Sequence, residues 1–186
     1  MKKFNKRGFT LVELLAAMVI LGMIMAIAIP NVMGILNNSR NKTYVDDAKR
    51  LASVAEYKFR SSQGIEKPTG FECVVMSLKY LDNSEFNDAP NGGSYDKERS
   101  YVVVRFDETI NTYSSYINLV EKKSDGSYKG IYYKKLDNLN NSSAKELVTS
   151  GDESLFRSVN DFSEGGHITV SSQMICNNIK QIYKEK

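Results

Sequence analysis

Residues 9–39 form an almost continuous apolar and uncharged stretch that contains a single charged residue, Glu13. The 26 residues from Leu14 to Ser39 include no Asp, Glu, Lys or Arg. As a helix they would extend for about 39 Å, whereas a bilayer core needs only about 20 apolar residues. The pattern therefore predicts one membrane-spanning helix, in which Glu13 requires a specific partner because an unpaired acid is costly there.

Beyond Pro30 the apolar pattern becomes one-sided, which predicts an amphipathic helix. Apolar residues recur at helical spacing at Tyr44, Ala48, Leu51, Ala52, Ala55 and Phe59. Charged residues occupy the other face at Lys42, Asp46, Lys49, Arg50 and Lys58. Together with the apolar segment this predicts one helix over residues 10–62, ending near Gly64, with Gly22 and Pro30 as points where it would bend or lose helical order.

The remaining residues alternate short apolar runs with polar turns, which predicts a small antiparallel sheet of three to four strands. Residues 71–86 are interpreted as a short helix, and a hairpin turn is predicted at residues 124–127. Strands are predicted at Tyr101–Phe106, Tyr113–Val120, Ile131–Leu136 and His167–Ser171. A short helix is predicted after Ser143 and a terminal helix at Ser172–Lys184. The fold class is therefore α+β, with the long N-terminal helix packed on the sheet.

Charge is concentrated at the N-terminus. The chain has a formal net charge of +3, but Lys2, Lys3, Lys6 and Arg7 all precede Gly8, and the other residues contain 21 basic and 22 acidic side chains. Bulk charge therefore gives no reason to expect nucleic-acid binding. The basic head should stay on the cytoplasmic side, which places the rest of the protein across the membrane.

An ordinary secretory signal peptide, cut after Ala28 in the sequence Ala26-Ile27-Ala28, is the competing interpretation of this segment. Glu13 argues against it, because an acid near the start of the apolar region weakens insertion. The apolar character also continues past the supposed cut through Val32, Met33, Ile35 and Leu36. An uncut, singly anchored binding domain is a further alternative of a different class.

The sequence contains little catalytic chemistry. His167 is its only histidine, and no nucleophile–histidine–acid order or phosphate-binding loop accompanies it. Asp88, Asn91, Asp96 and Glu98 could hold calcium, but their spacing fits no standard loop and solvated turn residues are the simpler interpretation. We expect no enzyme activity, cofactor or metal. The tyrosines at positions 128, 132 and 133 are interpreted mainly as strand packing, with contact to a glycan, a surface or another subunit as the alternatives.

Two cysteines, Cys73 and Cys176, are separated by 102 residues. In an exported chain they could form a disulfide, and two buried thiols are the alternative. Neither has a second cysteine or a histidine at metal-ligand spacing.

The segment Gly8-Phe9-Thr10-Leu11-Val12-Glu13, with its basic head, the uncharged run and Pro30, resembles the class III leader and N-terminal segment of type IV pilins. The resemblance divides the chain into a leader (1–8), an apolar membrane and filament-core helix (9–36) and a globular head (37–186). It implies cleavage by a prepilin peptidase between Gly8 and Phe9, followed by methylation of the new amine of Phe9. It also implies that Glu13 pairs with the amine of Phe9 on an adjacent subunit.

The same resemblance implies a structural subunit, a major pilin by preference, of a surface fibre used for adhesion, twitching motility or aggregation. The partners would be other copies of the chain in a helical filament, the prepilin peptidase, the assembly platform, minor pilins and, before assembly, the membrane. The precursor would be a single-pass protein of the inner or cytoplasmic membrane, and the product an extracellular fibre. A minor pilin or a pseudopilin of a type II secretion or competence system is the alternative.

Overall fold

A computed structural model describes residues 8–63, 65, 67–70, 72–81, 86, 88–156, 158 and 169–171. The helix α1 runs from Leu11 to Ser61, close to the predicted bounds. The chain divides into two compact units, residues 1–39 and residues 40–186, and α1 contributes residues to both. The helices α2 and α3 are single turns at Leu78–Leu81 and Ala144–Leu147, and 3-10 turns lie at Leu136–Asn138 and Asn141–Ser143.

The second unit contains a seven-stranded antiparallel sheet, whose strands are β1 Cys73–Ser77, β2 Ser94–Tyr95, β3 Tyr101–Asp107, β4 Thr112–Lys122, β5 Tyr128–Lys135, β6 Val148–Gly151 and β7 Thr169–Ser171. The strand order is β6-β5-β4-β3-β1-β7, and β2 pairs with the C-terminal end of β4. The α+β, pilin-like fold class is thus confirmed, and so are the three central strands β3, β4 and β5.

The sheet has more strands than the three or four predicted, and the interpretation of residues 71–86 as a helix is wrong for Cys73–Ser77. All five residues of β1 are buried, and β1 pairs with both β3 and β7. A strand that is covered on both faces has no alternation of apolar and polar residues, so its sequence cannot be told from a buried helical turn. The strands β2 and β6 are short and partly exposed and give no hydrophobic signal.

The second half of α1 forms one side of the main core. Its buried residues include all six that were predicted, together with Val45. Every second residue of the central strands packs in the same core as these helix residues, for example Val102 and Val104 of β3 and Ile117 and Leu119 of β4. The intervening residues are buried on the other side of the sheet, where Val120, Tyr128 and Phe156 form a second cluster. The tyrosines at positions 128 and 132 pack there against Phe156, as the packing interpretation predicted.

A buried carboxylate ties this half of α1 to the sheet. Glu121 of β4 has no exposed surface, and its Oε2 accepts hydrogen bonds from the Tyr44 hydroxyl and, at 2.9 Å, from Asn91 Nδ2. Its Oε1 accepts a hydrogen bond from the backbone N–H of Gly93 at 3.0 Å. These donors come from α1 and from the loop before β2, so one side chain fixes three parts of the head.

The pairing of β4 and β5 contains a bulge. Ile117 pairs with Lys134 and Leu119 with Ile131, so β5 has one more residue than β4 between the two pairs. The Asn118 side chain completes the interrupted bonding, because its Oδ1 accepts from the Tyr133 N–H at 3.3 Å. Next to the bulge, a side chain on Gly130 would overlap the carbonyl oxygen of Leu119. Close approach of two backbones therefore requires glycine at this position.

Candidate processing and assembly segment

The start of α1 is closed by a reciprocal hydrogen-bonded cap between Thr10 and Glu13. Glu13 Oε2 accepts hydrogen bonds from the backbone N–H and the hydroxyl of Thr10, each at 2.9 Å, and the Glu13 N–H donates to Thr10 Oγ1 at 3.3 Å. This is the capping box of a helix N-terminus, whose sequence signature is Thr-x-x-Glu before an apolar run. The signature is present in the sequence, but Glu13 was predicted to act only in membrane burial and assembly, and its role in the cap was missed.

The residues before the cap are open to their surroundings. The Phe9 side chain is 88% exposed, and a Cβ built on Gly8 meets no described atom within 4 Å. A protease that clasps an extended backbone therefore meets no obstruction from the described residues around the Gly8–Phe9 bond.

The first half of α1 leaves its large apolar side chains uncovered. From Phe9 to Leu36 their exposure ranges from 88% at Phe9 to 40% at Leu36, and they surround the helix rather than follow one stripe. By length and composition, the helix is long and apolar enough to cross a membrane. Water is an unfavourable environment for such a surface, so lipid or other apolar helices must cover it.

Gly22 and Pro30 both lie inside α1, which continues through them. Proline lacks the N–H that would bond to the fourth residue before it. Directly after it, Asn31 Nδ2 donates to the Ile27 carbonyl oxygen at 3.2 Å, which adds a bond beside the interrupted ladder. A Cβ on Gly22 would meet no described atom within 4 Å, so packing within the described chain does not require glycine there. The predicted loss of helical order at these residues stays a prediction.

The other residues singled out in the sequence follow this segment in the chain. Cys73 is a fully buried residue of β1, whereas Cys176, His167 and the predicted terminal helix lie outside the described residues. Of the possible calcium ligands, Asn91 bonds to Glu121, and Asp96 Oδ1 accepts from the N–H groups of Glu98 and Arg99. No cluster of acidic, histidine and cysteine side chains suited to a metal occurs within the described residues.

A protein-family model described as the prokaryotic N-terminal methylation motif matches residues 3–29. This chain carries a prepilin-type N-terminus. The matched residues span the basic head, the Gly8–Phe9 bond, the Thr10–Glu13 cap and most of the exposed apolar half of α1. The match ends at residue 29, so the α+β head lies outside it.

The prepilin-type chain is similar to the type II secretion system core protein G of Klebsiella michiganensis, with 29% identity over 76 residues. The alignment covers 40% of this chain and 54% of that protein, so the chain spans about half the length of the curated relative it matches. No solved structure matches the chain.

Proposed function

We propose that this chain is a structural, non-enzymatic subunit of a type IV pilus-like filament, with a major pilin of a surface fibre as the first candidate. The observation that carries the proposal is the prepilin motif on a half-helix whose large apolar side chains are all exposed. Such a helix is stable in the bilayer as a single-pass precursor. It is equally suited to a bundle of identical helices, because helix contacts replace lipid contacts at little cost.

Processing is the first step of the proposal. A prepilin peptidase cuts between Gly8 and Phe9 and the Phe9 amine is then methylated. Mass spectrometry of the mature N-terminus tests this directly, with methylated Phe9 as the expected residue and a chain starting at Ile29 as the result that contradicts it. Gly8→Val adds a branched side chain at the cut and should leave uncut precursor in the membrane.

Assembly is the second step, and Glu13 has two possible contacts in it. Within one chain its carboxylate binds Thr10. In the filament it would pair with the Phe9 amine of an adjacent subunit, since an ionised carboxylate in an apolar bundle needs a charged partner. Head-to-tail repetition of that contact produces an open helical fibre with a fixed axial register.

Two substitutions separate the cap from the charge. Glu13→Gln keeps a capping-box residue but removes the charge, whereas Thr10→Val removes the hydroxyl and keeps the charge. We expect Glu13→Gln and Glu13→Ala to be processed and to yield few or no fibres, and Thr10→Val to assemble. Electron microscopy of sheared fibres measures this, and abundant normal fibres from Glu13→Gln would refute the charge pair.

A second candidate is a minor pilin or a pseudopilin of a secretion or competence system, which the similarity to a type II secretion core protein favours. Such a subunit should give only short fibres that do not project from the cell. Deletion of the chain would then impair export or DNA uptake while leaving surface fibres intact. A permanently monomeric, uncut protein in membranes would instead support a singly anchored binding domain.

Within the head, we propose that Cys73 pairs with Cys176, which would close a loop across most of the domain. Peptide mapping without reduction should recover the two cysteine peptides joined. Recovery of both as free thiols from protein alkylated in the cell would exclude the bond.

A further inference from the structure

A cavity of about 270 Å³ lies at the end of the sheet where β3 turns into β4. Its lining comes from both strands, the turn between them and Gly70; the strand and turn residues are Arg105, Phe106, Asp107, Glu108, Thr109, Ser114 and Tyr116. Arg105 and Ser114 are directly paired across the two strands. Because Val102 and Val104 face α1, Arg105 projects from the opposite side of the sheet.

One wall of the cavity is a rigid aromatic ring. Tyr116 stacks on Tyr133 with ring centroids 5.0 Å apart and planes inclined by 13°. Tyr133 covers one face of the Tyr116 ring and does not itself line the cavity, whereas Tyr116 does. The stack fixes the orientation of that ring before any ligand arrives, which reduces the entropy cost of binding.

The polar groups supply both donors and acceptors. The Arg105 guanidinium offers five N–H donors, and it has no hydrogen-bond or ion-pair partner among the described residues. Asp107 and Glu108 are acceptors, and Asp107 Oδ1 already holds the turn by accepting from the Thr109 N–H at 3.1 Å. Two carboxylates against one guanidinium make the lining net negative, which disfavours a free phosphate or sulfate.

We propose that this cavity binds one neutral hexopyranose unit of a glycan. A pyranose has a C–H face that packs on the electron-rich face of an aromatic ring, and Tyr116 provides such a surface. Its hydroxyls donate and accept hydrogen bonds at once, so they match Arg105 on one side and the carboxylates on the other. The volume lies near the lower limit of ligand pockets, as expected for one sugar ring. The proposal does not depend on which filament the chain forms.

The test uses the full chain in a detergent without a sugar headgroup, because glycoside detergents would compete. Methyl glycosides of glucose, galactose, mannose and N-acetylglucosamine are the probes, and saturation-transfer NMR reports which sugar protons contact the protein. At least one glycoside should bind weakly through its C–H face. Tyr116→Ala and Arg105→Gln should each reduce that affinity about tenfold or more.

Tyr57→Ala is the matched control, because Tyr57 is a 75% exposed tyrosine on α1 that does not line the cavity. It should leave binding unchanged. Circular dichroism checks that each variant is folded. If Tyr116→Ala does not fold, the affinity of Arg105→Gln for the glycosides tests the proposal. Binding of none of the four glycosides, or glycoside binding that neither cavity variant weakens, would overturn the proposal.

Discussion

The two halves of α1 have similar backbone structure but opposite surroundings. Leu15 in the first half is 58% exposed, whereas Leu51 in the second half has no exposed surface and lies in the main core. The first half has apolar residues all around it and no charge after Glu13, while the second confines them to one face. The comparison shows that helix geometry does not decide the role of a segment. The distribution of apolar residues around the helix decides whether it binds its own sheet or must be covered by lipid or other chains.

The same substitution in each half should have very different effects on the head. Leu51→Ala removes a fully buried side chain and should lower the free energy of unfolding by about 2–5 kcal/mol. Leu15→Ala should change it by less than about 0.5 kcal/mol, because Leu15 makes no contribution to that core. Both changes replace leucine by the best helix former, so helix propensity does not distinguish them.

The measurement is urea denaturation of the full chain in detergent, with unfolding monitored by the near-ultraviolet circular dichroism of the tyrosines. Equal loss of stability in both variants would show that the first half of α1 also supports the head. A stable Leu51→Ala protein would show that α1 is not needed to cover the sheet.

Much of this division could be predicted from sequence because each half of α1 has a local pattern. The periodicity from Tyr44 to Phe59 identifies the buried face without knowledge of the sheet. The same reasoning failed at Cys73–Ser77, because burial on both faces of β1 depends on partners that are distant in sequence. The Thr10–Glu13 cap could be predicted from the sequence but was missed. Glu13 had already been assigned to an assembly contact, and one residue can serve both roles.

The cavity at β3 and β4 could not be predicted, because it depends on strand register. Arg105 and Ser114 are nine positions apart, and only the antiparallel pairing places them opposite each other. A shift by one residue would move each side chain to the other face. Likewise, the tyrosine-rich run in β5 gave no sign that Tyr133 would stack on Tyr116 across the bulge.

Replacement of glycine by alanine should have opposite effects on stability in the two regions, lowering it in the head and raising it in the first half of α1. Gly130→Ala places a Cβ on the carbonyl oxygen of Leu119 and should destabilise the head by about 2 kcal/mol, because the β4–β5 pairing must shift. Gly22→Ala has open space around it and should stabilise the first half of α1 by up to about 1 kcal/mol. Urea denaturation measures the first, and hydrogen exchange of amides near residue 22 measures the second. Slower exchange there with fewer fibres would indicate that flexibility at Gly22 is used in assembly.

The smallest expected effect is a pH dependence of the head that arises from Glu121, the buried carboxyl group of β4. Burial raises the pKa of Glu121 above its ordinary value of 4.5, although the Gly93 N–H, Lys129 and Lys123 oppose the change. The folded state therefore favours the protonated carboxyl. Stability should be greatest below the ordinary carboxyl pKa and should fall as the pH rises from there to the raised pKa of the folded state, with no further loss from this group above it.

Glu121→Gln should remove this part of the pH dependence, and Glu146→Gln, which alters an exposed glutamate of α3, should leave it unchanged. Denaturation midpoints measured across the acidic range for the three proteins test this. A midpoint that instead rises with pH in the wild type but not in Glu121→Gln would show that the three hydrogen bonds to Glu121 outweigh its burial. In that case the carboxylate, rather than the carboxylic acid, would be the form that holds α1 to β4.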